Sequence, residues 1–311
     1  MIRNGAHVLK EVLHDIRKGQ KPERYRLSAP FSHVPLGPGM MNVFAGPTGV
    51  GKTALVMQLV SDVLANNSGV SAFVANVEMD PKQLTRRMMA SASGIAGTKI
   101  DGNDLTKAEK ATLMQAAKGL QPVASRITFW DGEFSLSAMV GDIEATDPKI
   151  LVIDYVQRLT VGTDETKGDE ERTRLNDLMN KLREFAKRGV CVIILAAVSR
   201  QKGSRGSNYE GLGLASMRGS SELEYATDNV FIMEARKEGT NIIDLKHEKN
   251  RSGPLKTVAL KFHGETYGFV SADILTSGMG KAGSTTGKPI GSKSVRAKKG
   301  LVTNGQAPNP K

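Results

Sequence analysis

The run FAGPTGVGKT, residues 44–53, sets Gly46, Gly49, Gly51, Lys52 and Thr53 at the spacing of a loop that grips phosphates. Glycines let the backbone wrap an anion closely, and the amides that open a following helix point at it. The whole stretch Gly46, Pro47, Thr48, Gly49, Val50, Gly51, Lys52 and Thr53 is therefore the expected nucleotide site. Lys52 is placed to reach the β- and γ-phosphates, and Thr53 to ligate Mg²⁺. A second oxygen ligand comes from KILVIDY, 149–155, an apolar strand ending in Asp154. The C-terminal edge of a parallel sheet is where ligands bind, which suits Asp154 to hold Mg²⁺ through water. In FVANVEMDP, 73–81, Asp80 can cap the next helix and Pro81 suits its first turn. Glu78, which ends that strand, has no such local duty and is assigned to polarising the attacking water, with an ordinary exposed glutamate as the alternative. KNRSGP, 249–254, puts Lys249 and Arg251 on one face of an extended backbone, ahead of turn residues. Two cations there are either a solvated face or a pair that meets an anion.

These residues need a scaffold, and the pattern supplies one. From Met41, strands are expected at 41–45, 72–77, 127–130, 150–154 and 190–197, and helices at 52–65, 81–93, 106–118, 136–145 and 171–188. Such alternation implies right-handed crossovers and a mostly parallel sheet covered on both faces. After Tyr225, the pieces NVFIMEA, TNIIDLKHE, KTVALKFH and YGFVSA read as antiparallel hairpins added at a sheet edge. The ordered body is one α/β domain over 39–275. Ahead of it, residues 7–18 place Val8, Leu9, Val12, Leu13 and Ile16 on one helical stripe, followed by a Pro/Gly-rich linker up to 38. That helix cannot bury its stripe alone and must dock on the body or on a neighbouring subunit.

Charge and composition narrow the class. The net charge is +11, but residues 276–311 carry seven Lys/Arg and no Asp or Glu, so the remainder is near balance. That Gly/Ser/Lys-rich tail is too poor in apolar residues to fold, and it attracts anionic surfaces without sequence preference. No apolar run approaches the roughly 20 residues of a membrane span, and the N-terminus is no signal peptide. The single Cys191, inside VCVIILAAV, excludes disulfides and cysteine zinc sites and suits a reducing cytoplasm.

Taken in order, GPTGVGKT, NVEMDPKQLTRRM, LVIDYVQ, SMRGSSELEYATD and KNRSGP resemble the ATPase domain of DnaB-like replicative helicases of bacteria and phages. The resemblance runs over roughly residues 7–271 and implies a RecA-like P-loop core, ATP and Mg²⁺ as ligands, and a hexameric ring around single-stranded DNA. It further implies that Lys249 and Arg251 reach the γ-phosphate held by the next subunit. A finger in trans can contribute 10³–10⁵ in rate. The N-terminal helix resembles the family's linker helix, which docks on the adjacent protomer. A separate primase, polymerase or loader is the expected kind of partner.

Two loops should face the ring's pore. Residues 158–171 are acidic and a poor phosphate contact, whereas 200–221 offers Arg200, Lys202, Arg205 and Arg218 among glycines. By resemblance, Arg218 and Gly219 hold a DNA phosphate with one cation and one amide. An ordinary surface loop is the alternative. One position departs from the family: VIILAAVSRQ places Ala197 where a Gln senses the γ-phosphate, and Ser199, Gln201 or Gln157 is left to substitute. With Gly46 opening the phosphate loop, a family collar or fused primase is not expected ahead of it. The leading reading is an ATP-driven 5′–3′ DNA helicase in replication, with polarity taken from the family alone. A RecA-like recombinase is opposed by the Lys-x-Arg ending. A nucleotide-gated DNA clamp or loading scaffold draws support from Ala197.

Overall fold

The structure is a computed structural model that describes residues 3–162, 171–198, 201–203, 206–208, 212–216, 220–237 and 240–272. Its centre is a run of strands built from β-branched and apolar residues: β1 (Met41–Gly46), β2 (Ala72–Asn76), β3 (Ile127–Trp130), β4 (Ile150–Asp154) and β5 (Cys191–Ala197). β1 and β4 are buried along their whole length, as strands covered on both faces must be. A small hairpin, β6 (Gln201–Gly203) with β7 (Gly206–Asn208), lies outside the main sheet. Then come β8 (Asn229–Ala235), β9 (Ile242–Asn250), β10 (Thr257–His263) and β11 (Gly268–Ser271). The nine-stranded order is β11-β10-β9-β8-β1-β5-β4-β2-β3.

The sequence places β8 in an edge hairpin, and the structure corrects this. β8 pairs in parallel with β1, from Asn42↔Asn229 to Ala45↔Ile232, and only its other side carries the antiparallel β9. Its run Asn229–Glu234 is buried, so β8 is a core strand and the hairpins begin after it.

Two apolar cores flank the sheet. On one face lie α2 (Lys52–Asn66), α3 (Pro81–Ser93) and α5 (Lys107–Ala124), with the short α4 (Gly97–Asp101) between the last two. Leu55, Leu59, Leu84 and Val123 of these helices pack with Phe44, Val74, Val152 and Ile193 of the sheet. On the other face, α6 (Leu136–Thr146), α7 (Glu171–Lys187) and α8 (Ser220–Ala226) bury Met139, Ile143, Leu178, Leu182 and Leu223 against Val43, Phe73 and Ile194. α5 runs past Gly119 and Pro122, beyond the end expected at 118, because Val123 is buried in the first core. Packing there outweighs the weak local signal to stop.

The N-terminal helix, α1 (Gly5–Arg17), is capped by Asn4, whose side chain accepts from the Ala6 amide at 2.8 Å. It buries nothing: Leu9 is 59% exposed and Ile16 66%. The linker behaves differently. Tyr25, Phe31, Val34 and Leu36 are buried in the first core, and Tyr25 donates to the Lys149 carbonyl.

Candidate nucleotide-binding site

β1 ends in Gly46, and the loop that follows turns into α2 at Lys52. Gly49 and Gly51 have φ of +82° and +94°, a region that disfavours side chains. Gly51 answers a second constraint, since a Cβ there would lie 2.8 Å from the Phe269 ring of β11. Gln58 of α2 pins that strand by exchanging two hydrogen bonds with the Phe269 backbone, of 2.8 and 2.9 Å. Lys52 Nζ lies across the loop, donating to the carbonyls of Gly46 and Pro47 at 2.9 and 2.8 Å. Burial lowers its pKa, while the charges of Asp154 and Glu78 oppose that shift.

Asp154 lies where the sequence puts it, at the end of β4 and 4% exposed. Thr53 Oγ1 donates to its Oδ2 at 2.6 Å, so the two expected Mg²⁺ ligands meet. Asn76 Nδ2 donates to the same oxygen at 2.6 Å. Burial pushes the Asp154 carboxyl up to about 6, against the lowering effect of the Thr53 bond. A buried carboxylate that resists its own charge, next to a hydroxyl, is an oxygen-only donor set that fits a hard cation such as Mg²⁺.

Glu78 is close by, though not on the strand: β2 stops at Asn76 and Glu78 sits in the bend after it. The Asn76 Oδ1 accepts from the amides of Glu78 and Met79, each at 2.8 Å. One side chain thus ties Asp154, the expected Mg²⁺ ligand, to the bend that carries the proposed base. Sequence reasoning missed Asn76. Its signal lies in the β2–β4 register, Asn76↔Asp154, which only the assembled sheet reveals. Asp80 and Pro81 act as expected, with Asp80 accepting from Gln83 N at 2.8 Å.

Lys52, Thr53, Glu78 and Asp154 line one cleft of about 490 Å³. Arg87, Phe262 and Tyr267 also line it, and none of these three was picked out by spacing. Arg87 stands 4.6 Å over the Tyr267 ring, a cation–π arrangement. Ala197 reaches the cleft from the end of β5. The Gln157 amide pairs with the Ala197 backbone, accepting at 3.2 Å and donating at 3.4 Å. Of the residues considered as substitutes, Gln157 is the one whose side chain is seen at this strand end.

Lys249 and Arg251 are not brought to the cleft. Lys249 pairs with Val230, and Arg251 N donates to Asp228 O, at the start of β8. That corner bonds to Met41, the first residue of β1, whereas the phosphate loop leaves from Gly46, the last. At ~3.3 Å per residue the strand separates the two by roughly 17 Å. Of the expected DNA contacts, Arg200, Arg205, Arg218 and Gly219 lie outside the described residues, and Lys202 is placed only by its backbone in β6. The tail 276–311 also lies outside them. Among the described residues no helix is long and apolar enough to cross a membrane.

Residues 35–271 match the family model of the DnaB-like helicase C-terminal domain. Probable plasmid replicative DNA helicases of Chlamydia trachomatis serovar L2 and of Chlamydia trachomatis are each 24% identical over 234 residues, 74% of this chain. The chain spans about half the length of these curated relatives, 50% of each. A solved ATPase domain matches at TM-score 0.72 and 21% identity, over 86% of this chain and 99% of that one. A DnaB-like replicative helicase, solved with its interactions with primase, matches at TM-score 0.72 and 21% identity over 87% of this chain and 67% of its own. The fold is accordingly that of a RecA-like ATPase domain. With the family model covering the sheet from before β1 to the end of β11, the chain belongs to the DnaB-like helicase C-terminal domain family.

Proposed function

We propose that this chain is the ATP-hydrolysing motor of a replicative DNA helicase, acting as a hexameric ring on single-stranded DNA in the cytoplasm. The observation that carries the reading is the meeting of Thr53 with Asp154 beside Lys52 and Glu78 in one cleft. Bound Mg²⁺ would supply electrostatic stabilisation of the phosphates, with Thr53 and Asp154 holding it. Lys52 leaves the Gly46 and Pro47 carbonyls to neutralise the β- and γ-phosphates. Glu78, its bend fixed by Asn76, orients and deprotonates the attacking water. Since a strand's length separates Lys249 and Arg251 from their own phosphate loop, they act on the nucleotide of the neighbouring subunit. The residues expected at the pore, Arg200, Lys202, Arg205, Arg218 and Gly219, hold the DNA backbone. A separate primase, polymerase or loader completes the machinery. The family match does not favour a recombinase or a passive clamp.

Binding and turnover separate the assigned roles. Lys52→Ala is expected to lose ATP affinity together with turnover. Glu78→Gln should bind ATP within about twofold of wild type and turn it over at least about 100-fold more slowly, as loss of a general base does. Calorimetric ATP binding beside a phosphate-release assay reads both. Equal loss of binding in the two variants contradicts the assignment of Glu78 to the chemical step.

A further inference from the structure

Asp228 lies between α8 and β8, and it joins the Lys249–Arg251 pair to the strand that carries the phosphate loop. Its Oδ2 accepts from the Met41 amide at 2.8 Å and from Arg183 at 3.0 Å. Its Oδ1 accepts from Arg251 NH1 at 2.9 Å. The backbone repeats the connection: Asp228 N donates to Met41 O at 2.8 Å, and Arg251 N donates to Asp228 O at 3.0 Å. Lys249 is set by the same corner, donating to the carbonyls of Glu224 and Thr227, the latter at 2.8 Å. These carbonyls close α8, at the end of a helix that favours a cation.

The two arginines on Asp228 are unequal in a telling way. Arg183 is 22% exposed and also donates to the Ala226 carbonyl, so it belongs to the interior. Arg251 is 55% exposed and bonds through NH1 alone, its other guanidinium nitrogens having no hydrogen-bond partner among the described residues. An exposed ion pair contributes little to stability. A mostly buried carboxylate held by an amide and a second guanidinium is, however, a rigid anchor. It fixes one corner of a planar fork and leaves the rest to grip an oxyanion.

We propose that Asp228 is a positioning residue for Arg251, holding its guanidinium where it meets the nucleotide phosphates of a second copy of this chain. This rests on the trans-acting ATPase reading above. Asp228 itself touches no nucleotide in its own subunit, because it lies at the opposite end of β1 from the loop.

The test is subunit complementation by ATP turnover in mixed assemblies, formed from dissociated, differently tagged proteins. Asp228→Asn is expected to keep ATP affinity within about twofold and to lose at least about tenfold in kcat, the mark of an interaction made in the transition state. Mixed with Lys52→Ala it should recover activity, because its intact loop then meets an intact finger. Mixed with Arg251→Ala it should not, because both proteins lack a working finger. Asp228→Glu keeps the charge and should regain part of kcat. If Asp228→Asn does not fold, Asp228→Glu carries the test, with a smaller loss and the same pattern of partners. An unchanged kcat, or rescue by Arg251→Ala in place of Lys52→Ala, overturns the proposal, since the latter means that Asp228 serves its own loop. Arg251→Ala mixed with Lys52→Ala is the control. Failure there removes the trans reading and the proposal with it, whereas rescue there without rescue of Asp228→Asn by Lys52→Ala overturns the proposal alone.

Discussion

Asp154 sits in surroundings that oppose its charge, with its carboxyl pushed up to about 6 by burial. Thr53 and Asn76 each hold its Oδ2 at 2.6 Å. Asn76 is the more informative of the two, because its other end fixes the Glu78 and Met79 amides. Asn76→Ala is therefore expected to lower kcat about 10- to 100-fold, the scale of losses from small misplacement of reacting groups. KM for ATP should change little, as Asn76 is absent from the lining of the cleft. Steady-state ATP turnover checks this, and a rise in KM with unchanged kcat would assign Asn76 to nucleotide binding instead. The phosphate loop was readable in the sequence because its ligands are consecutive, and one local spacing specifies them all. Asn76 was not, because its duty comes from sitting opposite Asp154 across two strands. Arg87 and Tyr267 escaped notice for the same reason, since α3 and the β10–β11 turn meet only after folding.

At the scale of elements, strands with continuous apolar runs were legible, and their ends fell within a residue or so of expectation. β8 was misplaced because it precedes a series of hairpin pieces in the sequence, while its parallel pairing with β1 is a non-local fact. α5 ran long because burial of Val123 outweighed Gly119 and Pro122. α1 poses the opposite case, a well-capped amphipathic helix with no buried residue. Leu9, Val12, Leu13 and Ile16 are all exposed, a contiguous stripe of the kind that marks an interaction surface. If that stripe seats on a neighbouring subunit, replacing all four by Ser should leave the thermal midpoint within about 2 °C, as surface changes do. Sedimentation velocity should then show smaller assemblies than wild type at the same concentration. An unchanged assembly size would separate α1 from subunit contact.

For the whole molecule, the order of strands, the two covered faces and the match over 35–271 agree on one architecture. Its logic is division of labour across a sheet. The loop, Thr53, Glu78 and Asp154 cluster at the C-terminal ends of the parallel strands. Lys249, Arg251 and Asp228 cluster at the N-terminal end of β1. On the function proposed above, one chain carries two halves of a hydrolytic site that it cannot join by itself, and copies arranged head to tail would complete it. The claim that this assembly is a motor is tested most directly by a forked DNA duplex with a labelled strand, incubated with ATP and Mg²⁺, wild type beside Glu78→Gln. Strand displacement by wild type, absent with Glu78→Gln, is the expected result. DNA-stimulated ATP turnover without displacement of either arm of the fork would contradict it.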